Sequence, residues 1–366
     1  MSRDASVLVA MSGGVDSSVA AALLHERGYR VLGSHLKLVH LDGVDHGCCG
    51  PRAEADAAAV AERMGFEFEV VDMSERFGRT VLRDFFDEHA AGRTPNPCVR
   101  CNEHVKFRAF LERADRLGFT HVATGHYART WRDEHGRWHL ARGADRSKDQ
   151  SYVLHMLGQD QLSRALFPVG GQPKAETRAH ATRLGLPVAG KADSQEVCFV
   201  PGADHGAFLA AHAPELAQRG RVVDHDGRVV GRHDGVFRFT VGQRRGLGIS
   251  MGRPSYVLDV DATTSTVTIG PAELLARPGL VADGVSWVAG SPPTDEPFEA
   301  DVSVRYRGDP VPAVVAPIGG GAVRVEFGTP QRAIAPGQSV VFYRRDEVLG
   351  GGRIRESLRR PVGERV

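Results

Sequence analysis

Residues 6–17 read SVLVAMSGGVDS, and this stretch is the strongest indication of the fold of the first half of the chain. The apolar run Ser6–Met11 is typical of a buried strand, the glycine pair marks a tight turn, and a helical pattern follows through Val19, Leu23 and Leu24. A strand, a glycine turn and a helix in this order bring backbone N–H groups and the positive end of a helix dipole together. The stretch therefore predicts a phosphate site, and the missing Walker-type lysine excludes a P-loop GTPase or kinase site.

Beyond this loop, strands and helices alternate up to about residue 125, as a parallel α/β sheet requires. The predicted strands are Arg30–Leu38, Glu67–Asp72 and His121–Thr124, and the predicted helices are Arg52–Met64, a helix from Ser74 towards Ala91, and one through Phe107, Phe110 and Leu111. The fold class is a doubly wound α/β sheet, in which ligands bind at the carboxyl ends of the strands. Ser12, Leu36 and Gly125 are expected at that edge.

After about Pro201 the pattern changes to short β-type runs separated by glycine and Asp-Gly turns. Arg221–Asp224 and Arg228–Val230 flank Asp226-Gly227, which is a strong hairpin signal. Runs of this kind predict two small β-barrel-like domains, with a break at Ala276–Gly279. We therefore expect three domains, at residues 1–202, 203–277 and 278–366.

Composition sets broad limits on function. The 366 residues carry 46 basic and 45 acidic side chains, and only five of the basic residues are lysines. A net charge of +1 neither requires nor excludes a nucleic-acid partner. No apolar stretch approaches the roughly 20 residues that span a bilayer, and no targeting signal is recognisable. Five cysteines do not form a secreted disulfide framework, so we expect a cytoplasmic protein without a membrane partner.

Two cysteine sites lie far apart in the sequence. Asn96-Pro97-Cys98-Val99-Arg100-Cys101 places a CxxC pair at a predicted helix start, where the helix dipole and Arg100 are expected to lower a thiol pKa. CxxC by itself is ambiguous between redox and metal roles. Asp193–Phe199 places Cys198 in an apolar run, which by itself is typical of a buried core cysteine.

The glycine loop resembles the PP-loop ATP pyrophosphatases, whose signature is Ser-Gly-Gly-X-Asp-Ser. Members cleave ATP between the α and β phosphates and pass AMP to an oxygen, which becomes a leaving group. Together with the two cysteine segments, the loop closely resembles the bacterial tRNA-specific 2-thiouridylases, the MnmA/TrmU family. The resemblance extends in order through 123-ATGHY-127, 148-KDQSY-152, 166-LFPVG-170, 241-VGQRRGLG-248, 305-RYR-307 and 336-PGQS-339, and so covers nearly the whole chain.

The resemblance implies an adenine nucleotide alpha hydrolase-like (HUP-like) domain that uses ATP and Mg²⁺, with Asp16 as a candidate metal ligand or helix cap. It implies adenylation of the 2-oxygen of the wobble uridine in a tRNA anticodon, followed by sulfur transfer that gives 2-thiouridine. Cys101 takes the nucleophile position, and Cys198 takes the position that carries a persulfide received from a donor or relay protein. Implied ATP contacts are Ala10, Met11, Ser12, Gly13, Gly14, Val15, Asp16, Ser17, Leu36 and Gly125. Implied contacts with the target base are Asn96, Pro97 and Cys98, and implied contacts with the rest of the tRNA are Lys148, Asp149, Gln150, Arg305 and Tyr306.

One position departs from the family pattern, because many members have aspartate where this chain has Cys98. The departure opens an alternative in which Cys98, Cys101 and Cys198 hold an iron–sulfur cluster with one open iron. Cys48 and Cys49 are interpreted as thiols without a role, with a minor redox or metal role as the alternative.

Three further features receive structural or open interpretations. His135 and His139 have metal-like spacing but too few companion ligands, and we interpret them as structural residues of a hairpin. The Arg353–Arg360 cluster is interpreted as a solvated face, with contact to tRNA phosphates as the alternative. A monomer is favoured.

Two competing functions remain open at this point. One is another PP-loop adenylating enzyme acting on a small metabolite, such as a relative of argininosuccinate or GMP synthetase. The other is a non-catalytic iron–sulfur or thiol-redox RNA-binding protein that keeps the loop as scaffold. Cys101 and Cys198 weigh against the first, and the intact loop Ser12–Ser17 weighs against the second.

Overall fold

The computed structural model describes residues 5–39, 50–193, 197–200, 202, 204–249 and 252–359. Cys48 and Cys49 lie outside the described residues, as do the three residues at 194–196. The helices are α1 (Val15–Glu26), α2 (Pro51–Met64), α3 (Ser74–Phe77), α4 (Arg83–Ala90), α5 (Pro97–Cys101), α6 (Phe110–Leu117), α7 (Gln159–Leu162), α8 (Lys174–Arg183) and α9 (His205–His212). Two π-helical stretches, Gly78–Leu82 and Asn102–Ala109, join α3 to α4 and α5 to α6. Short 3₁₀ helices cover Ser151–Leu154, Pro214–Leu216, Val236–Arg238 and Ala272–Leu275.

The strands follow the alternation that the sequence predicts in the first half and the short runs that it predicts in the second. They are β1 (Ser6–Ala10), β2 (Arg30–Lys37), β3 (Glu67–Asp72), β4 (His121–Ala123), β5 (Ala128–Arg132), β6 (Trp138–Arg142), β7 (Ala165–Leu166), β8 (Gly220–Val223), β9 (Val229–His233), β10 (Tyr256–Asp261), β11 (Thr266–Gly270), β12 (Ala276–Trp287), β13 (Phe298–Ser303), β14 (Val311–Gly319), β15 (Ala322–Arg332), β16 (Ser339–Arg344) and β17 (Glu347–Leu358).

The N-terminal sheet is parallel and has the order β3-β2-β1-β4-β7. Its central strand is buried on both faces: Leu8 packs into one hydrophobic cluster, while Val7 and Val9 pack into another. Successive side chains of a strand point to opposite faces, so a strand covered on both sides is apolar throughout. The prediction of a doubly wound α/β domain is confirmed.

The strands of this sheet end at one common edge. Ala10 at the end of β1 pairs with Ser34 of β2, and Val9 pairs with Ala123 at the end of β4. The residues that follow, Ser12 and Gly125 among them, therefore lie side by side, as expected for the ligand edge of such a sheet.

The second half of the chain forms the predicted β domains. Strands β10-β11-β8-β9 make a four-stranded sheet, and β12-β15-β14-β13-β16-β17 close into a six-stranded barrel through pairing of β12 with β17. The hairpin β5–β6 extends this barrel, since Ala141 of β6 pairs with Glu347 of β17. The barrel is thereby joined to the N-terminal domain by continuous strand pairing.

The break proposed at Ala276–Gly279 coincides with the start of strand β12. Two details differ from the sequence-based expectations. The sequence pattern predicts that helices end at about Pro201, but helix α9 lies beyond it and buries Phe208 and Leu209. Arg353 belongs to strand β17, and its ion-paired side chain is 25% exposed, whereas the ion-paired side chain of Arg359 is 68% exposed.

The hairpin predicted around His135 and His139 is present as β5–β6. His139 lies between Asp133 and Glu347, with ring nitrogens 3.1 and 2.6 Å from their carboxylate oxygens, and it stacks on Trp131. Its contacts join the hairpin to β17. Within the described parts of the chain, no helix has the length and hydropathy of a membrane-spanning segment.

Candidate active site

The glycine loop between β1 and α1 is closed by its own hydroxyl groups. Ser17 Oγ accepts from the Ser12 backbone N–H at 3.1 Å, and Ser17 Oγ donates to the Gly14 carbonyl at 3.2 Å. Ser12 Oγ lies 3.1 Å from Ser17 Oγ. Helix α1 begins at Val15 with Gly14 as its N-cap, without a side-chain cap. The backbone N–H groups at this helix start are therefore available for an anion.

Two glycines are required by close backbone contacts around the loop. Gly13 has φ +67°, and a Cβ added there would lie 2.2 Å from the Ala53 carbonyl oxygen of α2. A Cβ added at Gly125 would lie 2.5 Å from the Ser17 backbone nitrogen. The segment after β4 thus lies against the start of α1, which brings together two sequence-predicted parts of the ATP site.

Asp16 does not cap α1; its carboxylate faces a buried lysine. Lys174, the first residue of α8, places Nζ 2.6 and 2.8 Å from the two Asp16 carboxylate oxygens and 2.8 Å from Asp193. The Tyr127 hydroxyl lies 2.9 Å from Asp16 Oδ1. Burial, with the neighbouring Asp16 charge, raises the pKa of Tyr127, so this hydroxyl stays protonated.

Asp193 also forms ion pairs with two other basic side chains beside the loop. Lys148 Nζ lies 2.8 Å from one of its oxygens and an Arg178 nitrogen lies 2.9 Å from the other. Burial would raise the pKa of Asp193, but the hydrogen bonds from Lys148 and Lys174 outweigh it and hold the pKa at about 2. Lys191 donates to the Gly13 carbonyl at 2.9 Å and to Asp56 at 2.5 Å.

Sequence reasoning missed Lys174 and Lys191 as loop residues and placed Lys148 elsewhere. One signal was present: three of the chain's five lysines fall within residues 148–191, in a protein with 41 arginines. A lysine is a compact point charge that suits phosphate oxygens. Lys174 and Lys191 contact the loop itself, at Asp16 and at the Gly13 carbonyl, whereas Lys148 reaches Asp193 beside it.

The CxxC pair lies at the start of a long helical run, as predicted. Asn96 is the N-cap of α5 and its Oδ1 accepts from the Cys98 backbone N–H at 3.2 Å. Cys98 is exposed, whereas Cys101 is buried. The two thiols of the motif therefore have different environments, one facing solvent and one facing the core.

Cys198 is partly buried and packs against the same hydrophobic cluster that contains Cys101. Its neighbour Phe199 is almost fully buried, with its ring centroid 5.4 Å from that of Phe77 and 5.3 Å from that of Phe85. The aromatic contacts fix the chain next to Cys198. The two thiols that are 97 positions apart in the sequence thus share one cluster.

The residues expected to contact tRNA fall into two groups. Asp149 accepts hydrogen bonds from the backbone N–H groups of Gly143 and Ser151. Gln150 accepts from the Tyr127 backbone N–H through its side-chain oxygen and donates its own backbone N–H to the Tyr127 carbonyl. Both residues therefore order a local turn. On the barrel, Tyr306 is exposed, and the Arg307 guanidinium lies 5.4 Å from its ring centroid. Arg305 and Tyr306 follow β13, and Arg305 lines part of a cavity of about 220 Å³.

No group of three or more His, Cys, Asp or Glu side chains is arranged to hold a metal ion within the part of the chain that the structure describes. Cys98, Cys101 and Cys198 are all described, and they do not form such a group. The iron–sulfur alternative therefore has no support from the geometry.

A parallel sheet with the order β3-β2-β1-β4-β7, and a glycine loop without a Walker lysine at its carboxyl edge, defines a nucleotide-binding α/β protein of the HUP class. Family models agree with this fold: residues 5–202 match the tRNA methyl transferase HUP domain, residues 206–271 the tRNA methyl transferase PRC-barrel domain, and residues 277–354 the aminomethyltransferase beta-barrel domain.

Curated relatives are similar over almost the whole chain. The tRNA-specific 2-thiouridylase MnmA of Geobacter metallireducens is 49% identical over 95% of this chain and 96% of its own. The protein of the same name from Acidothermus cellulolyticus is 49% identical over 98% of this chain and 99% of its own. This chain belongs to the tRNA-specific 2-thiouridylase family. Among solved structures, an NMN synthetase from Francisella tularensis is 16% identical over 52% of this chain and 66% of its own, with a TM-score of 0.34, which is too distant to inform function.

Proposed function

We propose that the protein is an ATP-dependent tRNA-uridine 2-sulfurtransferase that makes 2-thiouridine at the wobble position. The observation that carries the proposal is the combination, in one chain of this family, of a phosphate loop with two thiols at a single hydrophobic cluster. A small-metabolite adenylating enzyme has no use for the two thiols. A scaffold protein does not need a phosphate loop whose Asp16 and Gly13 are contacted by Lys174 and Lys191.

The first step activates a poor leaving group. The 2-oxygen of uridine attacks the α-phosphorus of ATP, the bond between the α-phosphorus and the bridging oxygen breaks, and pyrophosphate leaves. The N–H groups at Ser12–Ser17 bind the phosphates, while Lys174 neutralises the charge that develops on pyrophosphate. Asp16, whose side chain is 32% exposed, has the oxygen donors that Mg²⁺ prefers and would hold it together with the ATP phosphates.

The second step is the sulfur transfer. Cys198 carries the terminal sulfur as a persulfide, and the Cys101 thiolate attacks Sγ of Cys198. Hydrosulfide leaves and attacks C2 of the adenylated uridine, from which AMP departs. The disulfide formed between the two cysteines is then reduced by an external thiol before the next turnover.

Asn96, Pro97 and Cys98 are proposed to face the target base, because α5 presents Cys98 to solvent at its N-terminal end. The base must leave its stack to reach them. Cys98 has no role in the two steps above. A hydroxyl or carboxylate at that position is expected to be compatible with activity, and a Cys98→Asp variant tests this directly.

Contacts with the rest of the tRNA are proposed for Lys148, Asp149 and Gln150 and for Arg305 and Tyr306. Tyr306 is 36% exposed and offers a ring on which a base can stack. Lys148 forms an ion pair with Asp193, so its proposed contact requires that Lys148 leave Asp193 and bind a tRNA phosphate instead. A monomer, a cytosolic location with the tRNA substrate, and a separate persulfide donor complete the proposal.

The test is thiolation of unmodified tRNA that has a wobble uridine. The purified protein receives ATP, magnesium and a persulfide source, and nucleoside mass spectrometry detects the product. We expect 2-thiouridine only when ATP and Cys101 are both present, with pyrophosphate release that depends on tRNA. Pyrophosphate release with a small-molecule acceptor instead of tRNA would contradict the proposed substrate.

A further inference from the structure

The loop that precedes the CxxC pair, at Thr94 and Pro95, is hydrogen-bonded to the C-terminal barrel. The Thr94 backbone N–H donates to the Pro336 carbonyl at 2.8 Å, and Gln338 Nε2 donates to the carbonyls of Thr94 at 2.7 Å and Pro95 at 3.3 Å. Gly337 has φ +91°, and a Cβ there would lie 2.8 Å from the Thr94 nitrogen. The barrel thus holds the backbone immediately before Asn96.

A second connection from the barrel runs through Arg353 of β17. One of its guanidinium nitrogens lies 2.6 Å from Asp84 and the other 2.9 Å from Glu88, both on α4. The same two carboxylates hold arginines next to the CxxC pair: Arg93 donates to Glu88 at 2.8 Å, and Arg100 lies 3.5 Å from Asp84. Arg353 therefore closes a network that reaches Arg93, just before the Asn96–Cys101 segment, and Arg100 within it.

Burial makes this network sensitive to the loss of one cation. The Glu88 side chain is almost fully buried, and burial alone would raise its pKa. The hydrogen bond from Arg93 and the charges of Arg353, Arg93 and Arg100 outweigh that effect and lower the pKa of Glu88 instead. Asp84 Oδ2 is buried without a hydrogen-bond partner among the described residues, which leaves its other oxygen to Arg353 and Arg100.

Arg353 differs from the other arginines of its strand. Its side chain is 25% exposed and bridges two carboxylates of another domain, whereas the Arg355 side chain is 50% exposed and pairs with Asp283 and Glu356 of its own barrel. The solvated face predicted for the Arg353–Arg360 cluster is therefore wrong for Arg353. Arg355 supplies a matched control on the same strand.

We propose that Arg353 is a positioning residue for the Asn96–Cys101 segment, because it holds Asp84 and Glu88 so that Arg93 and Arg100 fix that segment beside the core. The proposal rests on the proposed function for its link to catalysis, since Cys101 is the nucleophile there. A bidentate guanidinium suits this task, because one side chain must satisfy two carboxylates at once. Loss of Arg353 leaves the buried Glu88 and the partly buried Asp84 undercompensated beside Arg93 and Arg100, which flank and belong to the CxxC segment.

The charged and titratable groups around the segment come from several elements. They are Asp84, Glu88 and His89 from α4, Arg93 from the loop, Cys98, Arg100, Glu103 and His104 from the segment and its continuation, His155 from the 3₁₀ turn, Cys198, and Arg353 from β17. Burial lowers the pKa of both His89 and His155 to about 4, so these two rings are neutral at pH 7. The charge near Cys101 at that pH is therefore set by the arginines and carboxylates.

The test compares Arg353→Ala, Arg353→Lys and the control Arg355→Ala. Iodoacetamide labelling is followed at the peptide that carries Cys101 across a range of pH, and thiolation kcat and KM are measured at saturating ATP. For Arg353→Ala we expect the pH midpoint of Cys101 labelling to rise by about 0.5–1 unit, because uncompensated carboxylates oppose thiolate formation. We expect kcat to fall about 10- to 100-fold, as for a misplaced catalytic group. Arg353→Lys keeps the positive charge but cannot bond two carboxylates at once as the guanidinium does. It should therefore have the wild-type pH midpoint of Cys101 labelling but only part of the wild-type kcat.

Two outcomes would overturn the proposal. A normal labelling midpoint with a normal kcat in Arg353→Ala would show that the network does not act on Cys101. Faster labelling at every pH, without a shift of the midpoint, would indicate a loosened fold and a merely structural role. The labelling needs neither tRNA nor turnover, so it gives an answer even if the proposed thiolation activity is absent, and Arg355→Ala should leave both readouts unchanged.

Discussion

Replacing Lys174 by methionine is the sharpest test of the phosphate site. The substitution removes an ammonium whose side chain is only 11% exposed and keeps an unbranched apolar chain in its place. Asp193 retains Lys148 and Arg178 after the change. Asp16 retains only the Tyr127 hydroxyl among the contacts described above.

Two magnitudes follow from these contacts. Breaking a fully buried ion pair costs about 3–5 kcal/mol, but water reaches Asp16 and Asp193 keeps two cations. The expected loss in the free energy of unfolding is therefore smaller, about 1–2 kcal/mol. A charge-assisted hydrogen bond to an ATP phosphate contributes about 1.5–3 kcal/mol, so the Kd for ATP should rise about 10- to 150-fold.

The assay is calorimetric titration with α,β-methylene-ATP and magnesium, alongside denaturant unfolding of each variant. Arg183→Met is the matched control, because Arg183 lies on the same helix α8 in an exposed pair with Glu26. Such a pair contributes about 0–1 kcal/mol, and its loss should not change ATP affinity. If folded Lys174→Met binds the analogue within about twofold of the wild type, Lys174 does not contact the phosphates and the assignment is refuted.

Three further predictions concern other parts of the molecule. Cys101→Ser and Cys198→Ser should each abolish thiolation while ATP binding survives, and full activity in either variant would refute the two-thiol mechanism. Gly125→Ala places a Cβ 2.5 Å from the Ser17 nitrogen, so the free energy of unfolding should fall by about 1–3 kcal/mol and ATP should bind more weakly. Unfolding and ATP-titration curves identical to those of the wild type would disprove this. Burial lowers the pKa of His155 from 6.5 to about 4, so the folded state resists protonation and stability is complete above pH 6.5. His155 should contribute a loss of about 3 kcal/mol as the pH falls from 6.5 to 4, and His155→Asn should make that part of the unfolding profile less steep by this amount.

Much of the fold follows from local patterns along the chain. Short-range periodicity and turn residues predict the alternation of strands and helices up to residue 125. They also predict the β8–β9 hairpin and the strands of the barrel. The glycine loop and the CxxC pair are also local, because each places its functional groups within one turn of a helix. These features were predictable from the residues themselves.

The sequence was least informative where a residue acts on a distant one. Lys174 meets Asp16 across 158 positions, and Arg353 meets Asp84 across 269. Nothing in the periodicity around Lys174 distinguishes it from any charged residue at the start of a helix. The same holds for Arg353, which lies in a run of arginines that look alike in sequence and differ only in what they face.

The class of fold, the position of the phosphate loop and the two thiols could be predicted from the residues, because short segments encode them. Three properties became visible only in the folded chain: which lysines lie beside the loop, which thiol of the CxxC pair is buried, and the hydrogen bonds between the barrel and the loop before that pair. Those properties depend on how helices and domains dock, and docking is set by the summed burial of surfaces from distant segments rather than by any local pattern.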